Sequence, residues 1–362
     1  MLYKISLIPL FLIVFLMGLL VFQEFSYNSY KKSISMVIIV VSYGTAAAFI
    51  IRLSILFISW YRSNNNWIVF LYFASMLLIA FNLLSTAIIT CVKLTDRPDE
   101  IKEFFGGTVD ISVGKYVYLD NIHTASSIVS FISIWITTAL LMNYYREKLI
   151  NVLAYWIVLS IPLFYFLVNY IYQFIVTTIL FTYLANDPIT VSIILTTLLS
   201  LSKPIGGLTF AIGFWKISHI IAYEKNIKTF MALSGWGILL IFGANQALVQ
   251  TLAPHPPFGL ATITVLILAS FLMLLGIYNS AVFVSVNDSL RKSIHKHALE
   301  SKLLGVIGQA EMGKVIEKTV KKITQRKDSL EKDMQQPIEL DEMELKKYVD
   351  FVIKEVRKEN DK

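Results

Sequence analysis

Apolar residues fill eight stretches of the chain with little interruption, at 5–22, 33–60, 67–91, 124–145, 149–184, 189–221, 229–251 and 260–286. About 20 apolar residues cross a bilayer as a helix, so the pattern predicts an all-α fold, a polytopic transmembrane bundle of about eight spans. The fifth and sixth stretches are longer than one bilayer requires and are expected to tilt, kink or protrude. Pro162 and the run Lys203-Pro204-Ile205-Gly206-Gly207 are the expected kink sites, because proline removes a backbone donor and glycine relaxes the chain. Gly44 with Ala48, and Gly235 with Gly237, are positions where neighbouring helices are expected to come close. Beyond Asn287 the pattern changes, which divides the chain into a transmembrane domain, 1–286, and a charged helical tail, 287–362. Leu290, Ile294, Leu303 and Ile307 give the tail an amphipathic start. Asp341 followed by Glu344 is a capping signature for a last helix carrying Leu345, Tyr348, Val349, Val352 and Val356 on one face. Such stripes need a partner: each other, a second copy of the chain, a cytoplasmic protein, or the membrane surface.

Composition sharpens the division. Hydrophobic residues make up 56% of the chain and charged residues 16%, against roughly 25% charged in a soluble domain. Residues 1–286 hold ten acids and fifteen bases, and the remaining 76 residues hold fifteen and seventeen. The net charge of +7 is therefore read as a record of cytoplasmic connections, and no nucleic-acid partner is expected. The first stretch follows Lys4 and leaves through LLVFQEFS without a small-x-small cleavage site, so it is read as a retained signal anchor. Lys4, Arg62, Arg146, Lys148, Lys216, Lys225, Lys228, Arg291, Lys292 and Lys296 all fall on one side if the N-terminus is inside. That predicts a multi-pass protein of the plasma membrane with both termini cytoplasmic. Lys31 and Lys32 dissent. The 92–123 loop, with four bases and six acids, is then extracytoplasmic, and short β-like runs at 109–113 and 115–118 suggest a hairpin cap within it.

Candidate chemistry is sparse. One cysteine, Cys91, excludes a disulfide framework. The five histidines are scattered, so neither a metal site nor a haem bundle is expected, and no other cofactor is implied. The run from Gly308 to Lys314 has the outline of a phosphate loop, but Val315 stands where a magnesium-holding hydroxyl belongs. No Asp or Glu falls inside the eight stretches, yet cations do: Lys203 near the middle of the sixth and Arg52 in the second, besides Lys216 toward the cytoplasmic end of the sixth. A buried cation without a carboxylate must use freed carbonyls, hydroxyls, water, lipid phosphate or a small anionic ligand. Arg52 is close enough to one headgroup layer to snorkel. Asn82, Asn169, Gln173, Asn245, Gln246 and Gln250 map to similar depths on three stretches. They are candidates for interhelical hydrogen bonds or, with Lys203, for the lining of an outward-opening ligand site.

The layout, a multi-span helical domain followed by SKLLGVIGQAEMGKVIEKTVKKI, resembles the sensor-type membrane proteins of unassigned role found in ammonia-oxidising archaea. It departs from sensor histidine kinases in having no histidine box and no nucleotide-binding domain. It departs from retinal proteins because Lys203 sits on a Pro-Gly run without a carboxylate counter-ion. Three functional expectations follow. The first is a sensor or interaction module that couples a membrane or outside cue to its tail, as a homo-oligomer or through a cytoplasmic partner. The second is a transporter-like protein with an anion-accepting intramembrane site at Lys203. An enzyme comes last, because no catalytic constellation is present.

Overall fold

A computed structural model describes residues 2–27, 30–95, 100–101, 117–143, 152–176, 201–220, 225–245, 258–287 and 302–334. Among these the fold is all-helical apart from one two-residue antiparallel pairing, β1 (Tyr30–Lys31) on β2 (Glu100–Ile101). Nine helices are described: α1 (Leu2–Tyr27), α2 (Lys32–Asn64), α3 (Trp67–Thr95), α4 (Val117–Met142), α5 (Val152–Val176), α6 (Ser202–Ile220), α7 (Lys225–Ala244), α8 (Phe258–Val286) and α9 (Lys302–Met334). Each runs opposite to its predecessor from α2 to α8, so α2, α4, α6 and α8 all end at the face of the bundle where α9 docks.

Five of these helices are long and apolar enough to cross a bilayer by themselves, lying within α2, α3, α4, α7 and α8. Eight spans are expected from the sequence, and residues 177–200 and 246–257 of the fifth to seventh stretches lie outside the described residues. Two shorter apolar segments, Pro9–Phe22 and Tyr155–Val168, lie in α1 and α5. The polarity of the bundle is inside out relative to a water-soluble domain. Phe11, Val14, Ile55, Leu153 and Phe164 are more than half exposed, while Ser42, Ser75, Thr86, Thr137, Ser234 and Ser270 are fully enclosed. Hydroxyl donors have no water to turn to in hydrocarbon, so Thr86, Ser234 and Ser270 bond carbonyls of their own helices, while Ser75 and Thr137 pair across an interface.

Local sequence explains where several helices stop. Asn65 takes a left-handed backbone angle, φ 45°, and its N–H bonds the Tyr61 carbonyl at 2.6 Å, closing α2. Asn66 then caps α3 by accepting from the Ile68 N–H at 3.0 Å. Val117 and Tyr118, expected in a strand, instead open α4. The 109–113 run lies outside the described residues. The earlier start of α4 brings Asp120 into its first turn, where it pairs with Lys93 of α3 at 2.7 Å. The helices are thus not free of carboxylates, as the apolar stretches alone had suggested.

The part of the sixth stretch before Leu201 lies outside the described residues, and Pro204 stands near the start of the helix that follows. It lies in the first turn of α6, where a missing N–H leaves no intrahelical bond unmade. Gly206 and Gly207 serve packing instead: a Cβ on the first would overlap the Phe131 ring of α4, and one on the second would sit 2.7 Å from Phe242 Cβ of α7. Phe131 itself stacks on Phe166 of α5 at 3.9 Å and meets Phe210 and Phe242 edge-on, joining four helices in one aromatic cluster. The helices α7 and α8 cross closely: a Cβ on Gly237 would lie 2.7 Å from the Met273 nitrogen, and one on Gly276 would overlap the Phe230 carbonyl. Gly44 is different, with nothing within 4 Å of its would-be Cβ, so no close helix contact forms there. Pro162 lies inside α5, and Trp135 of α4 donates to the Leu159 carbonyl in the turn before it at 2.8 Å.

Candidate functional site

The interface of α3 with α4 carries polar pairs at four levels. Ser75 bonds Ser133 at 2.7 Å and Thr137 at 2.9 Å. Higher up, Asn82 donates through Nδ2 to Ser126 Oγ at 3.0 Å, with Ser85 also at 3.0 Å from that oxygen. Thr86 faces His123 Nδ1 at 3.3 Å, and Lys93 with Asp120 closes the series. Ser126, Ser130, Ser133 and Thr137 recur at three- and four-residue intervals, which places them on one face of α4. That spacing is readable in the sequence as a stripe of small hydroxyl residues, a weaker signal than a charge or an amide.

The second amide joins from α7. Asn245 follows the last helical residue, Ala244, and its Nδ2 donates to Asn82 Oδ1 at 2.8 Å. Asn82 stands near the middle of α3 and thirteen residues short of Thr95, so at 1.5 Å per residue α7 ends about 20 Å below that end of α3. The sequence had carried this stretch on to 251 as one span. Ending α7 here leaves its last carbonyls without helical partners. Lys203, in the first turn of α6, supplies one: Nζ donates to the Asn245 backbone carbonyl at 3.4 Å. An ammonium is favoured at a helix C-terminus by the dipole. The carbonyl it meets lies at the end of α7.

Lys203, Asn245 and Asn82 therefore come together. Arg52 does not join them; it lies exposed on α2, with no hydrogen bond or ion pair among the described residues. Asn169 and Gln173 lie on α5, where only the backbone is described, and Gln246 and Gln250 lie outside the described residues. Among the described residues no carboxylate pairs with Lys203, and no three metal-binding side chains gather.

Of the polar atoms buried without a hydrogen-bond partner among the described residues, two belong to this cluster: Ser202 Oγ, on the residue before Lys203, and Asn245 Oδ1, on the residue whose carbonyl Lys203 meets. Ser202 is 1% exposed and Asn245 6%. Leaving such a group unpaired costs about 1–3 kcal/mol, so each marks a place where something is missing from the ledger of partners.

A second polar cluster lies at the other end of the bundle. Leu303, Leu304, Ile307 and Ala310 of α9 are fully buried in the same apolar core as α2 and α8. Gly308 meets Val284 so closely that a Cβ would overlap it, and Gly313 passes Ser63. Beyond this seam Trp60 Nε1 donates to Glu311 Oε2 at 2.6 Å, and Lys314 Nζ lies 3.8 Å from that oxygen and 5.5 Å from the Trp60 ring centre. Burial lowers the Lys314 amine below the usual lysine range, and Glu311 opposes that shift. The residues that outline a phosphate loop thus lie mid-helix and are engaged with the bundle.

An apolar exterior, a hydroxyl-lined interior and helices of spanning length define a multi-pass helical membrane protein. No protein-family model, no characterised relative and no solved structure matches the chain.

Proposed function

We propose that the chain is a membrane sensor or interaction module in which a cue received at the Lys203, Asn245 and Asn82 cluster is carried through α3 and α2 to α9. The observation that supports this reading is the seating of α9: its first three turns share one continuous apolar core with α2 and α8. A helix built into the bundle responds to shifts of its neighbours, which a tail on a flexible tether does not. On this reading the α9 end is cytoplasmic, in keeping with Arg62, Lys216, Lys225 and Lys228 near that end. The plasma membrane is its location, and the residues after α9 meet a cytoplasmic protein or a second copy.

Hydrogen exchange on the full chain in nanodiscs tests the coupling. Asn82→Ala disturbs the cluster without touching α9, and amide exchange across 302–318 is expected to rise with it. Unchanged exchange there would sink the sensor reading. A transporter-like role is the second reading, favoured by an intramembrane ammonium whose partner is a carbonyl and not a carboxylate. It requires anion flux into proteoliposomes, lost in Lys203→Met.

A further inference from the structure

The unpaired atoms around Lys203 carry more than an open question about anions. We infer that the head of α6 and the end of α7 form a binding site for a small oxyanion that bears its own O–H donor, of the bicarbonate or hydrogen phosphate class. This deepens, and rests on, the sensor reading above.

The hydrogen-bond directions around Asn245 lead there. Ser126 gives its proton to the His123 carbonyl at 2.9 Å, so toward Asn82 it acts as acceptor and takes Nδ2. Asn82 must then present Oδ1 to Asn245, which answers with its own Nδ2. Asn245 Oδ1 is left as a buried acceptor without a donor. Turning the Asn245 amide over would set two carbonyl oxygens against each other. Turning both amides over would take the Ser126 proton away from the His123 carbonyl and leave Asn245 Nδ2 as the buried, unanswered group; the arrangement shown keeps the Ser126 to His123 bond. In this arrangement Asn245 Oδ1 is the buried acceptor, and the group that answers it is a donor.

The positive side of the site lies next to it. Lys203 has three N–H donors, and the structure shows one of them used, at 3.4 Å and on a carbonyl of this same Asn245. Ser202, the residue before it, is enclosed with its hydroxyl unpaired. Both stand in the first turn of α6, where free backbone N–H groups and the helix dipole add to the ammonium. Chloride and nitrate would answer the ammonium but cannot donate to Asn245 Oδ1. A water molecule donates but leaves the charge uncompensated. A protonated oxyanion does both, with its charged edge on Lys203 and Ser202 and its O–H on Asn245.

The test uses the full chain in phosphatidylcholine nanodiscs, which hold the lipid constant so that any effect belongs to the added ion. Thermal unfolding is followed with bicarbonate, phosphate, nitrate and chloride at equal ionic strength. Bicarbonate or phosphate is expected to raise the midpoint by a few degrees, and nitrate and chloride are not. Lys203→Met should weaken the stabilising anion at least about tenfold, the loss of a charge-assisted hydrogen bond. Ser202→Ala should raise the midpoint without anion, because an unpaired buried hydroxyl is removed, and shrink the anion response. That second variant keeps the test decisive if Lys203→Met fails to fold. Equal stabilisation by all four ions overturns the donor requirement. No response to any of them, or an undiminished response in Lys203→Met and Ser202→Ala, overturns the site and leaves water as the partner of the unpaired atoms. Exchange across 302–318 separates the two claims: an anion that binds yet leaves α9 unchanged upholds the ligand class and removes the sensor reading.

Discussion

Trp60 and Glu311, 251 residues apart in the chain, meet through a 2.6 Å hydrogen bond from the indole nitrogen to the carboxylate. Trp60 is fully buried, so the bond ties the end of α2 to the middle of α9 where water competes little. A bond to a charged acceptor contributes about 1.5–3 kcal/mol. Trp60→Phe keeps an aromatic ring against Phe57 while removing the donor and part of the indole volume. Amide exchange across 302–318 is expected to speed up by roughly tenfold or more. Protection equal to the parent would mean that the apolar seam alone holds α9.

The crossing of α7 on α8 predicts a contrast between two glycines. A Cβ on Gly237 would lie 2.7 Å from the Met273 nitrogen and 2.8 Å from the Ala269 carbonyl, and backbone cannot rotate aside. Gly237→Ala should separate the helices and destabilise by about 1–3 kcal/mol. Gly44→Ala meets nothing within 4 Å and should be neutral or slightly stabilising, because alanine favours the helix. A thiol-reactive dye that reports Cys91, the single, half-buried thiol, reads both midpoints. Equal midpoints would refute the close crossing.

The Asn82 to Asn245 contact predicts a measurable coupling. Either single change to Ala strands the partner amide inside the bundle, so the double variant should be less destabilised than the singles combined. A double-mutant cycle is expected to give about 1 kcal/mol, within the range for interhelical bonds in membranes. Strict additivity would show that the two amides do not act as a pair.

Orientation gives the last prediction. In a Cys91→Ser background, a cysteine near Gly106 should react with an impermeant thiol reagent added to intact cells, and one near Lys321 should not. Labelling of the second site alone would invert the proposed topology.

The helical membrane architecture was legible in the linear pattern because apolar length and local caps are properties of consecutive residues. Uninterrupted runs at 33–60 and 67–91 specify helices of spanning length, and Asn64-Asn65-Asn66 between them contains both a stop and a start. Lys203, Asn82 and Asn245 stood out one by one, since charge and amide groups are conspicuous against hydrocarbon-like neighbours. What the linear pattern could not decide was where helices end within an apolar stretch. Apolar residues resume after Asn245-Gln246, and others run up to Ser202, so the linear pattern carried both stretches on, and the stop of α7 at the depth of Asn82 is seen only in the packed helices. Pairing was likewise tertiary. Which carbonyl Lys203 meets, which proton Ser126 spends, and whether Glu311 faces water or Trp60 depend on distances between residues far apart in sequence, and those distances exist only once the helices have packed.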